Sequence, residues 1–103
     1  MSSNPYHAIA DPTRRQILDL LRGQSLTAGA IAGRFGAITR PAVSKHLAVL
    51  RRSRLVTARR QGREQVYSLN AAPLREVNAW LSRYESFWGD QLAAFKEYIE
   101  NGE

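Results

Sequence analysis

The 103-residue chain contains no cysteine, so it can form neither a disulfide nor a thiolate metal site, and it has no cysteine nucleophile. That usage suits a reducing compartment. No apolar run approaches the roughly 18 residues of a membrane span. The N-terminus also lacks the basic-then-apolar order of a secretory signal, so a cytoplasmic protein is expected. Internal repeats and low-complexity stretches are missing as well. One further absence is local: between Asp19 and Glu64 there is not one acidic residue.

That same interval holds ten bases: Arg22, Arg34, Arg40, Lys45, Arg51, Arg52, Arg54, Arg59, Arg60 and Arg63. The net charge of +6 is therefore uneven: residues 1–19 are neutral, residues 20–63 carry +10 and residues 64–103 carry −4. A charge that serves solubility alone interleaves both signs. A stretch stripped of carboxylates suits a polyanion, because each cation that meets a phosphate releases condensed counterions. Anionic lipid is a poorer match, since the basic stretch is broken by turns and carries no long apolar helical face.

Length and composition predict one domain over residues 1–103, with 44% hydrophobic residues to build a small core. Asp11-Pro12 predicts a helix start, a capping carboxylate followed by proline at the first helical position. Ile9, Ile17, Leu18, Leu20 and Leu21 supply its apolar face, and Gly23 ends it. A second short helix starts at Thr27, buries Ile31, Ala32 and Phe35, and stops at Gly36. Gly29 and Gly33 each weaken it by about 1 kcal/mol, and close helix contact is their expected reason. Thr39 caps a third helix with Pro41 in its first turn and Val43, Leu47 and Leu50 as its buried stripe.

After Leu55 the period changes from helical to alternating. Val56–Arg60 and Glu64–Leu69 are predicted strands joined by Gln61-Gly62-Arg63, with Tyr67 and Leu69 on one face and Val66 on the other. From Asn70–Pro73 onward a single long helix is expected, spanning residues 72–100. Leu74, Val77, Leu81, Tyr84, Trp88, Leu92, Phe95 and Ile99 fall in steps of three and four, and Trp80, Phe87 and Tyr98 widen the stripe. Gly89 marks a bend or a close crossing. Such a stripe exceeds what one small core can cover, so Leu74, Val77, Leu81, Tyr84, Trp88, Leu92 and Phe95 are the expected two-fold dimer interface.

The resulting class is mainly α with a small β-hairpin, in the order α-α-α-β-β-α, a winged helix-turn-helix that dimerises through its terminal helices. A B-DNA major groove admits one α-helix, whose N-terminal residues meet base edges. In the helix after Thr39, the buried stripe leaves Pro41, Lys45, Ala48 and Arg52 on the opposite face, with Arg40 leading and Ser44 and His46 on the flanks. Arg40 and Lys45 suit guanine acceptors; Thr39, Ser44 and His46 suit a phosphate or a base edge. Arg59, Arg60 and Arg63 give the hairpin a cationic tip for a phosphate backbone or a minor groove. Arg14 and Arg15 either touch phosphate or merely decorate a first turn. No strand-to-helix nucleophile elbow accompanies Ser44 and His46, and no catalytic site is expected.

Residues 8–70 resemble the ArsR/SmtB family of bacterial winged-helix repressors. The resemblance rests on Ala8-Ile9-Ala10-Asp11-Pro12-Thr13-Arg14-Arg15-Gln16-Ile17-Leu18, on Arg40-Pro41-Ala42-Val43-Ser44-Lys45-His46-Leu47, and on Arg59-Arg60-Gln61-Gly62-Arg63 through Tyr67-Ser68-Leu69. It implies a homodimer that represses transcription from a palindromic operator in double-stranded DNA. Thr39, Arg40, Ser44, Lys45 and His46 fall where the family contacts bases, and Arg59, Arg60 and Arg63 fall on its wing. Metal sensors of the family use a cysteine pair on the helix matching residues 27–35, or histidines and acids on the last helix. This chain has neither set, so a metal-independent regulator without a cofactor is expected. Two other readings fit the basic surface: a winged-helix module that docks an acidic protein, and a non-specific architectural DNA binder. The sequence names no effector.

Overall fold

The computed structural model describes residues 4–89 and 97–98. Among these, the elements run α1 (Pro5–Ile9), α2 (Pro12–Leu20), β1 (Leu26–Thr27), α3 (Ala28–Arg34), α4 (Arg40–Arg52), β2 (Val56–Gln61), β3 (Glu64–Leu69) and α5 (Leu74–Ser82). Four of the helices open on the same device. The side chains of Asn4, Asp11, Thr27 and Thr39 each accept the backbone N–H three residues on, at 2.8, 3.0, 3.1 and 3.3 Å. In three of them proline occupies the first turn, where its missing N–H costs nothing.

The core gathers one stripe from each helix. Ile17, Leu18 and Leu21 meet Ile31, the Val43–Leu47–Leu50 row of α4, and Leu55 and Val56 at the start of the hairpin. Ile17, Ile31, Val43, Leu47, Leu50 and Leu55 are fully buried, each stabilising the fold by about 1.5–3 kcal/mol. Tyr67 and Leu69 pack against this cluster from β3, as alternation required. The hairpin turns at Gly62, whose φ of +64° is the left-handed region that glycine enters without penalty.

The end of α4 closes on a non-glycine residue in the left-handed region. Arg54 sits at φ +65° directly after the C-cap Ser53. Its N–H bonds Arg51 O at 2.9 Å and the N–H of Leu55 bonds Leu50 O at 3.0 Å, a Schellman closure usually made by glycine. Asn70 Nδ2 donates to Arg54 O at 2.7 Å and holds the turn against the end of β3.

Three further expectations need correction. Helices are expected from Asp11-Pro12 onward, but α1 precedes that point, announced by the same cap-plus-proline pair in Asn4-Pro5. The sheet has a third strand: β1 pairs with β3 in the order β1-β3-β2, with Leu26 opposite Tyr67 and Thr27 opposite Val66. Two residues carry no periodicity, so only their partner reveals them.

The last helix does not run unbroken from residue 72. It starts at Leu74, turns at Arg83-Tyr84 and is helical again over residues 85–89. The Ser82 hydroxyl donates to Asn78 O at 2.8 Å and Ala79 O at 3.0 Å, competing with the backbone ladder. The following N–H groups of Arg83 and Tyr84 bond three residues back, to Trp80 O and Leu81 O. The interruption thus precedes Gly89, and Leu92, Phe95 and Ile99 lie outside the described residues.

Candidate nucleic-acid interface

α3 and α4 pack as two helices of a helix-turn-helix, joined through Gly36, Ala37 and Ile38. Because Val43, Leu47 and Leu50 point into the core, the opposite side of α4 stays in solvent: Thr39, Arg40, Ser44 and Lys45 are all exposed. Arg59, Arg60 and Arg63 are exposed on the hairpin. Arg60 Nε donates to Gly62 O at 3.2 Å, bracing the turn. Arg59 and Arg60 are neighbours on β2 and project to opposite faces of the hairpin, so one ligand surface cannot take both equally.

Between α4 and the hairpin lies a shallow cleft of about 220 Å³ lined by Thr27, Ala28, Arg40, Ser44, Arg63, Glu64, Gln65 and Tyr67. It brings Arg40 and Ser44 together with Arg63, residues that the sequence separates into two groups. Gln65 and Thr27 join them without having been singled out. For Gln65 a signal existed: strand alternation puts it on the same face as Arg63 and Tyr67. Glu64 also lines this cleft and moderates its positive charge.

At Gly29 the near neighbour is the Arg40 side chain of α4, at ordinary van der Waals distance, so space alone does not require glycine there. A Cβ at this position would stand 3.7 Å from Arg40 Cζ, so the guanidinium lies over the bare backbone of α3. At Gly33 a Cβ would meet nothing within 4 Å, and the expected close approach is not found.

His46 is placed differently from its neighbours on α4. It is half-buried, with Nδ1 3.3 Å from a terminal nitrogen of Arg14 and 3.9 Å from Asp11 Oδ2. The Arg14 guanidinium also donates to Ala8 O at 2.7 Å and His7 O at 3.1 Å, while Arg15 donates to Ile9 O at 2.7 Å. Both arginines therefore grip the carbonyl end of α1. The N–H of Arg14 bonded to its carboxylate, more than any other influence, holds Asp11 below the usual carboxylate value; partial burial opposes this, and the charge of Arg14, with that of His46 when its ring is protonated, adds to it.

A family described as a helix-turn-helix domain matches residues 9–59. The transcriptional repressor SdpR of Bacillus subtilis is 42% identical over 82 residues, covering 80% of this chain and 90% of that protein. An HTH-type transcriptional regulator of Mycobacterium tuberculosis is 38% identical over 96 residues, covering 93% of this chain and 86% of its own. The solved ArsR-like transcriptional regulator from Rhodococcus sp. RHA1 superposes with a TM-score of 0.71 at 34% identity, covering 95% of this chain and 89% of that one. The chain belongs to the ArsR family. As an ArsR-family protein it is a DNA-binding transcriptional regulator rather than an enzyme, and α3, α4 and the β2–β3 hairpin form its winged helix-turn-helix.

The apolar stripe of this ArsR-family chain divides in two. Leu74 packs against the core of its own chain, Val77 is buried, and Leu81 is half-buried. Trp80, Tyr84, Phe87 and Trp88 instead keep between 39 and 63% of their surface exposed. Trp80 stands edge-on to Tyr84 with centroids 5.3 Å apart, and Tyr84 meets Phe87 at 6.2 Å, so these three exposed rings form a continuous run. Trp80 and Phe87, which only widened the stripe in the sequence, thus present more surface than Leu74 and Val77. Among the described residues no group of three potential metal ligands is assembled, and no helix is long and apolar enough to cross a membrane.

Proposed function

We propose that this regulator is a cytoplasmic, homodimeric repressor that places two copies of α4 in successive major grooves of a palindromic operator, without a metal signal. The observation that carries this reading is the solvent-exposed set Thr39, Arg40, Ser44 and Lys45 on one helix beside Arg63 of the wing. The exposed rings of Trp80, Tyr84, Phe87 and Trp88 support pairing through the last helix, since a contiguous aromatic face left in water favours burial against a second copy. Pairing would set the reading heads roughly 34 Å apart, one turn of B-DNA. It would also join two weak sets of base contacts into one site. The repressor names of SdpR and of the arsenical resistance operon repressor of Staphylococcus xylosus support repression, achieved by occluding a promoter. The absence of cysteine from the sequence supports control without soft metals.

Selection of bound fragments from random DNA, followed by sedimentation of the complex, tests this reading. An inverted repeat with half-sites about 10 base pairs apart, occupied by two chains, is expected. A monomer that binds scrambled and selected DNA equally would overturn it.

A further inference from the structure

We infer that Arg14 is a positioning residue for base readout: it fixes His46 so that the recognition helix presents a ring N–H donor to an acceptor atom on a base edge. This rests on the proposed role of α4 in the major groove.

The geometry leaves little freedom at this point. Arg14 is anchored independently of His46, because Nε donates to Ala8 O at 2.7 Å and a terminal nitrogen to His7 O at 3.1 Å. Its own N–H is bound by Asp11 Oδ2 at 3.0 Å, so backbone and side chain are both held. The remaining terminal nitrogen lies 3.3 Å from His46 Nδ1. Arginine carries only donors and does not lose its proton in proteins, so this contact requires a lone pair on Nδ1. The neutral ring then carries its proton on Nε2. Asp11 Oδ2, at 3.9 Å from Nδ1, is beyond hydrogen-bond reach and does not compete for it.

The consequence is chemical selectivity. A ring N–H matches guanine N7 and O6, adenine N7 or thymine O4, and it is mismatched to the amino group of cytosine. His46 sits between exposed Lys45 and buried Leu47 on α4, and its side chain keeps 23% exposure, so one edge of the ring remains reachable. Arg14 also gathers two carbonyls of α1, and α1 is tied to α5 through the Tyr6 hydroxyl, which donates to Glu76 O at 3.1 Å. The ring is thereby referenced to α5, on which Trp80 begins the exposed aromatic run.

The test is a double-mutant cycle on the full chain with the selected operator and a scrambled duplex, each titrated over a range of salt. Arg14→Met keeps the aliphatic stem and removes the donors; His46→Phe keeps a ring and removes the N–H. Each is expected to lower the operator-to-scrambled affinity ratio about tenfold, with the slope of log affinity against log salt unchanged and the double variant no worse than either single one. An unchanged ratio in Arg14→Met, a shallower salt slope, or additive losses in the double variant would overturn the inference. A purely structural role would instead weaken binding to both duplexes alike, and that too overturns it. Should Arg14→Met not fold, Arg14→Lys carries the same test, because a single ammonium nitrogen cannot stand where three separate guanidinium nitrogens reach Ala8 O, His7 O and His46 Nδ1. Failure of the proposed function would show earlier and separately, in wild-type protein that does not prefer the operator.

Discussion

Tyr6 and Trp80 meet edge to face with ring centroids 6.2 Å apart and planes at 89°, joining the first described helix to the last. The Tyr6 hydroxyl adds a bond to Glu76 O at 3.1 Å. An aromatic pair contributes about 0.5–1.5 kcal/mol and a neutral hydrogen bond about 1 kcal/mol. Tyr6→Ala is therefore expected to cost about 2 kcal/mol in urea denaturation, and Tyr6→Phe about half of that. Equal stability of Tyr6→Ala and wild type would show that α1 does not hold α5.

Under the proposed binding mode, base readout and phosphate contact are expected to fall on two different arginines. Arg40→Ala should reduce discrimination between operator and random DNA by about 1–3 kcal/mol, measured by competition binding. Arg60→Ala should weaken binding to every duplex and lower the salt slope by about 1. Arg60 has no role at the backbone if that slope stays the same.

Backbone strain at Arg54 is open to a direct check. Its φ of +65° is disfavoured for any residue with a Cβ. Arg54→Gly should raise the thermal midpoint of the free protein, by about 1 kcal/mol of stability. A lowered midpoint would mean that the arginine side chain makes contacts worth more than the strain.

Acid should weaken the start of α2. Asp11 has a folded pKa below its ordinary value of 3.8, held down mainly by the N–H of Arg14. Such a carboxylate stabilises the fold at every pH above the unfolded value, and the contribution is lost as pH falls through the lower folded value. Asp11→Ala should cost about 1 kcal/mol near neutrality. In thermal scans the gap between variant and wild type should narrow only below about pH 4. A gap that stays constant down to pH 2 would rule out the charged cap.

Helix caps, the Gly62 hairpin and the buried row of α4 are local matters, set by residues within a few positions of one another. Asp11-Pro12, Thr27, Thr39 and the alternation at Tyr67 and Leu69 therefore announced their elements without any knowledge of the fold. The basic reading face followed from the same logic, because a helix that buries Val43, Leu47 and Leu50 must expose Arg40, Ser44 and Lys45. Packing alone decided the rest. Nothing near Arg14 in the chain says that its guanidinium turns to the carbonyls of α1 and to His46, 32 positions away. Leu74 and Tyr84 share one periodic stripe, yet the first lies on its own core and the second faces solvent. Periodicity marks which side of a helix is apolar; what covers that side depends on the distant surfaces that folding brings against it.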